Sequence, residues 1–156
     1  MALDPTARKA NVKDSLKKFF IDTIKTGEGI AVTFDKGLGI PKIQGTEVER
    51  WVSVNLGPID PQHLSRLDLR VFCCTRRDAE GFKLAQLRDT IMGHLTDTAI
   101  TDGMKRISFY RSSASQAWEL IGAFVVQNIE EAGEGEAEDE TKFVLLVATL
   151  RWASKV

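Results

Sequence analysis

Between Trp51 and Leu95 the chain changes its apolar period once, and that change constrains the fold more than any other feature of the sequence. Val52, Val54 and Leu56 alternate with Trp51, Ser53 and Asn55, and Leu67, Leu69, Val71 and Cys73 alternate with Asp68, Arg70 and Phe72. A period of two puts each set on one side of a strand, so both stretches read as half-buried strands. Gly57-Pro58 is expected to break the first, and the segment Ile59 to Arg66 then makes a hairpin. After Thr75-Arg76-Arg77-Asp78-Ala79-Glu80-Gly81 the period becomes helical, with Leu84, Leu87, Ile91 and Leu95 in one stripe and Ala85 and Met92 beside it. Asp78 is the expected N-cap, Glu80 sits in the first turn, and the helix should end near Asp97.

Upstream, Val12, Leu16, Phe19, Phe20, Thr23 and Ile24 recur at helical spacing against Lys13, Asp14, Lys17, Lys18 and Asp22, which predicts a first amphipathic helix. Thr26-Gly27-Glu28-Gly29 ends it, and Ile30 to Phe34 reads as a short strand. Asp35 to Glu49, with Gly37, Gly39, Pro41 and Gly45, is expected to be a long projecting loop. Downstream, Met104 to Tyr110 reads as a strand, and Trp118 to Ile129 and Lys142 to Trp152 as a long hairpin joined by a solvated acidic loop, Glu130 to Glu140. The order helix, three strands, helix, three strands fits an α+β fold: a mostly antiparallel mixed β-sheet with two amphipathic helices packed on one face. The 156 residues fit a single domain, 1–156.

The last strand carries a second message. Phe143, Leu145 and Val147 lie opposite Val144, Leu146, Ala148 and Leu150, so both of its faces are apolar. Two helices cover one face of a sheet; the other needs a partner subunit, or loops such as Asp35 to Glu49 folded over it.

Chemistry-bearing patterns are sparse. A formal net charge of -1 argues against a free nucleic-acid binder. Met1 to Val12 holds no apolar signal core, and no apolar run approaches the roughly 18 residues of a spanning helix. Cys73 and Cys74, adjacent in a strand, point to opposite faces and fit a reducing compartment. His63 and His94 have no ligand-spaced neighbours, so no metal is expected and each reads as a surface or capping histidine; Gly27-Glu28-Gly29 and Gly37-Leu38-Gly39 read as turns, not phosphate cradles, so no cofactor is expected either. The carboxylates of Glu134, Glu136, Glu138, Asp139 and Glu140 crowd one segment without the fixed geometry of acid–base catalysis, so no enzyme is expected. Seven acidic residues from Glu130 to Glu140 would instead form an acidic band if repeated around a ring, facing a basic partner or lining a channel for DNA.

The unit Trp51-Val52-Ser53-Val54-Asn55-Leu56-Gly57-Pro58, then Leu67-Asp68-Leu69-Arg70-Val71, then the turn Thr75 to Gly81 entering the Leu84, Leu87, Ile91 helix, closed by a C-terminal hairpin, resembles the tail terminator proteins of long-tailed bacteriophages, the tail completion or minor tail protein U-like family. The resemblance covers most of the chain at the level of element order, and the Glu130 to Glu140 tip departs from it. It implies a subunit of a hexameric ring that caps the head-proximal end of the tail tube, ends polymerisation and meets the head connector or stopper protein. DNA would pass through without specific binding. The implied location is the head–tail junction of a virion assembled in the host cytoplasm.

A ring closes when a heterologous contact repeats by rotation. The candidate contact residues are Asp35, Lys36, Leu38, Ile40 and Lys42 in the long loop, Arg76 and Arg77 at the turn, and Trp51, Trp118 and Trp152, for which core packing is the competing reading. The competing functions are a head-completion or connector protein of the neck and, from another class, a small enzyme or ligand-binding α+β domain with its pocket beneath the Asp35 to Glu49 loop, lined by His63 and nearby carboxylates.

Overall fold

The computed structural model describes residues 5–36, 42–43, 46–60, 64–101, 103–112, 115, 117–137 and 140–153. A 3-10 turn at Pro5–Ala7 leads into α1 (Lys9–Phe20), which continues as a π-helical segment, Ile21–Thr26. Val12, Leu16, Phe20 and Ile24 are buried along one side, so the helical stripe survives the change of winding. Then follow β1 (Ala31–Phe34), β2 (Lys42–Ile43), β3 (Thr46–Glu47), β4 (Arg50–Asp60), β5 (Leu64–Thr75), α2 (Phe82–Leu95), β6 (Arg106–Arg111), β7 (Glu119–Glu136) and β8 (Lys142–Ala153).

Six strands make one curled, mixed sheet, a half-barrel, in the order β1-β4-β5-β8-β7-β6; β2 and β3 form a separate small ladder. Strand β1 runs parallel to β4, and the other neighbours are antiparallel. Registers align the apolar residues in rows: Val52 faces Cys73 and Cys73 faces Val144, while Val54, Val71 and Leu146 form the next row. Both helices pack over these rows, so the fold is the expected α+β arrangement with helices on one face. Helix α1 lies on β6, and the stripe Leu84, Leu87, Ile91 and Leu95 of α2 is buried in the same core. Phe109 and Phe124 stack at 4.5 Å, with Trp152 edge-on to Phe124 at 5.0 Å.

Several expected boundaries move, each for a local reason. Gly57-Pro58 does not end β4; it forms a bulge, with the register shifting between Leu56 and Ile59. Pairing with β1 stops at Val54, so Pro58, which lacks an N–H, falls beyond the stretch of β4 that pairs with β1. Gly57 is required there, because a Cβ would lie 2.8 Å from the Asp68 carbonyl oxygen. The acidic stretch is no loop as far as Glu136: it continues β7 against β8, which begins at Lys142. Asp78 is not the N-cap residue, a place taken by Gly81 at φ 74°. It acts from outside the helix, accepting the Lys83 N–H at 3.3 Å, the Leu84 N–H at 2.9 Å and the Thr75 hydroxyl at 3.2 Å. Ala85 is exposed and takes no part in the stripe, and Met104 precedes β6 in an isolated bridge with Thr96. Within the long-loop segment, the β2–β3 ladder replaces part of the expected irregular chain, and residues 37–41 and 44–45 lie outside the described residues.

Candidate functional site

The two sides of the sheet differ in what covers them. Away from the helices, β5 and β8 carry Phe72, Phe143, Leu145 and Val147, all partly exposed, while their chain neighbours Val144, Leu146 and Ala148 are buried on the helix side. Phe72 stands directly across from Leu145 and meets Phe143 edge-on at 6.1 Å. The four make a continuous apolar patch. Along β8 the patch gives way to a polar end, where Thr149 donates to Asp68 at 3.1 Å and Arg151 to Gln127 at 2.6 Å. An apolar centre with a polar rim is the composition of a docking surface.

The tryptophans separate. Trp51 is 0% exposed and Trp152 3%, the latter donating its indole N–H to the Thr6 carbonyl at 2.7 Å. Trp152 fills the core beneath the helices, whereas Trp51, opposite Cys74 on the patch side of the sheet, is buried outside that core; neither side chain is at the surface. Trp118 alone is exposed, at 46%, on a backbone of φ 56° that turns its ring outward beside Leu120, 63% exposed. The Lys18 ammonium lies 5.3 Å from the Trp118 ring and 5.8 Å from that of Tyr110, and its hydrogen bond to Asp22 raises its pKa. Sequence pattern pointed to Trp118 but not to Lys18, Tyr110 or Leu120, which only the β6–β7 pairing and α1 bring together.

The other candidates fall in different places. Asp35 is an internal tie: its carboxylate lies 2.6 Å from the Lys13 ammonium and accepts the Leu56 N–H at 3.1 Å. Burial alone would raise its pKa, but these partners outweigh burial and hold it below the ordinary range. Lys36 is exposed; Lys42 lies in β2; Leu38, Ile40, Glu138, Asp139 and His63 lie outside the described residues. At the turn, the Arg76 N–H bonds to the Glu49 carbonyl at 2.7 Å, and the Arg77 guanidinium and Lys83 ammonium both reach the Glu49 carboxylate at 3.5 Å. These exposed pairs bring the turn against the segment before β4, each contributing about 0–1 kcal/mol. Glu134 and Glu136 are exposed on β7.

His94 pairs with Glu28 at 2.8 Å, joining the end of α2 to the segment after α1, and no cluster of metal-binding side chains occurs among the described residues. Cys73 and Cys74 are buried and form no disulfide; burial, with Cys74 beside it, pushes the Cys73 thiol up to about 12, so it stays a protonated, unreactive hydrophobe. No helix among the described residues is long and apolar enough to cross a membrane. An open cavity of about 460 Å³ lies between the start of β4 and α2, lined by Gly29, Ala31, Glu49, Arg50 and Lys83.

Neither a protein-family model nor a curated protein matches the sequence. Solved structures do match in fold: one chain, at 8% identity, superposes with a TM-score of 0.60 over 93% of this chain and 95% of its own. At that identity the likeness concerns the arrangement of the backbone.

Proposed function

We propose that this protein is a structural subunit of a six-fold ring of the tail-terminator kind, which caps the head-proximal end of a phage tail tube, halts its polymerisation and offers a surface for head joining. The partners in this reading are further copies of the chain, the tail tube protein and the head connector or stopper, with DNA passing through the ring. It works at the head–tail junction of the virion and catalyses no reaction. The observation that carries the reading is the patch of Phe72, Phe143, Leu145 and Val147 on the helix-free face of a curled sheet. An apolar surface of this kind is stabilised by a neighbouring subunit. The sequence resemblance supplies the ring; the patch supplies a reason for association.

Light scattering of the purified chain, alone and with tail tube protein, tests it. A ring, or a monomer that joins a ring only on a tube, agrees with the reading; a stable monomer that ignores tubes overturns it. The competing ligand-binding reading draws on the cavity beside β4, whose volume lies in the range of small-molecule sites and whose lining mixes Ala31 and Val48 with Glu49, Arg50, Lys83 and Gln86.

A further inference from the structure

The outer side of β7 is built differently along its length. Strand β6 pairs with it only from Glu119 to Val125, and the Val126 N–H to Lys105 carbonyl bond of 2.9 Å is the last on that side. Beyond it, β7 continues to Glu136 paired with β8 alone, and no strand among the described residues lies along its other side. Residues 127–136 are almost all exposed. In such an antiparallel edge the outward-facing N–H and C=O groups form a ready template for one more strand.

We infer that this edge, residues 127–136, is a strand-addition site for an extended segment of another chain in which basic and apolar residues alternate. From Glu131 to Glu136 the two faces of β7 dictate the alternation. Toward the helices, Glu131, Glu134 and Glu136 stand opposite Leu146, Val144 and Lys142, and Glu131 is held by Arg88 at 3.1 Å. On the other face Gly133 and Gly135 stand opposite Leu145 and Phe143; before Glu131 the pattern differs, with Glu130 opposite Val147 and Ile129 opposite Ala148. The Phe143 ring lies over Gly135, where a Cβ would come within 2.9 Å of it; above Gly133 a Cβ would meet nothing within 4 Å. Without side chains there, β7 leaves Phe143 and Leu145 open sideways to the free edge. An added strand therefore sets apolar side chains over the glycines on one face and cationic ones against the three glutamates on the other.

The same features disfavour self-pairing. Two copies of this edge would bring glutamates together, so a second copy of the strand is a poor occupant. Charge complementarity selects the occupant. The site does not rest on the ring reading, because a strand adds to an open edge whether or not its owner belongs to a ring.

The test uses the full ¹⁵N-labelled chain and a capped peptide of about ten alternating Lys and Val residues, the length of the edge, with two controls: Glu in place of Lys, and the Lys peptide with alternate amides N-methylated. The expected result is binding of the first peptide, with amide shifts and slowed exchange confined to 127–136, no binding of the acidic control, and at least about tenfold weaker binding of the methylated one through loss of main-chain bonds. The Glu134→Gln, Glu136→Gln variant, whose changes are at exposed positions and add no charge opposite Lys142, should weaken binding several-fold without shifting the melting temperature. No binding of the Lys peptide, equal binding of the methylated peptide, or perturbation centred elsewhere overturns the inference. Peptide binding by a protein that never joins rings or tubes leaves this site standing and removes the ring reading; ring formation without peptide binding does the reverse.

Discussion

The two faces of β8 pose the same residues in opposite circumstances. Leu146 points beneath the helices and is fully buried; Leu145, one position away, points into the open patch and is partly exposed. Composition does not distinguish them, since both faces of this strand are apolar. What differs is the cover, and the comparison teaches that apolar content here serves two ends, holding the chain together on one side and offering a surface on the other. The largest contrast should come from these two leucines. Leu146→Ala is expected to cost about 2–5 kcal/mol in urea unfolding because it leaves a cavity in a closed core. Leu145→Ala should cost no more than about 1 kcal/mol, as for a site that solvent already reaches, while reducing ring formation in light scattering. Equal losses of stability would mean that the second face is also core.

The edges of the sheet give the next contrast. On β6 the edge is closed by α1: the buried Ser15 hydroxyl accepts the Tyr110 N–H at 2.8 Å and donates to its carbonyl at 3.1 Å. Ser15→Ala should therefore cost about 1–3 kcal/mol by leaving two main-chain groups unpaired, and amide exchange at Tyr110 should rise. A loss below that range would mean water replaces the hydroxyl and the edge is not sealed.

A smaller effect tests the strand-to-helix turn. Burial alone would raise the Asp78 pKa, but the N–H groups of Leu84 and Lys83, the Thr75 hydroxyl and the nearby Lys142 charge outweigh it and hold the carboxyl low. A group whose pKa is lowered by folding adds stability above its unfolded pKa, about 3.9 for aspartate, and loses it as pH falls through the folded value. Unfolding free energy should thus decline on the acid side of that range, with Asp35 acting in the same direction. Asp78→Asn should lower stability near neutral pH by about 1 kcal/mol, as for other lost caps, and flatten the acid decline; an unchanged pH profile would place the acid sensitivity elsewhere.

The smallest effect concerns the surface aromatic. Trp118→Ala should change stability by about 0.5 kcal/mol or less, yet lower association if the Trp118–Leu120 surface meets a neighbour. Sedimentation of wild type and variant at matched concentration checks this, and identical profiles would confine docking to the sheet face.

The parts of this fold legible in the sequence are those set by side-chain period. The rows Val52–Val54 and Leu67–Cys73, the stripe Leu84–Leu95 and the double apolar face of β8 all follow from which positions must leave water. What escaped was set by main-chain pairing. Nothing in Glu130 to Glu136 favours a strand; β8 holds it there, with Phe143 filling the space over Gly135. Pro58 reads as a breaker until one knows that β4 has lost its β1 neighbour by then. The candidate surface was half visible: Phe143, Leu145 and Val147 announced a second apolar face, but Phe72 joins them only through its register with Leu145, and Trp51 and Trp152 could not be sorted from Trp118 without burial.

The middle of the sheet also determines when the protein can fold. Its central pair joins Thr75 to Lys142 and Leu64 to Ala153, so β5 has no partner on one side until residues 142–153 have been synthesised. Pairings so distant in sequence must meet the entropy of closing a long loop before they are rewarded, which slows folding. Until β8 arrives, a nascent chain holds Leu67, Leu69 and Val71 beside an unpaired edge, the state in which chaperones would engage it and in which any truncation before Lys142 would leave it.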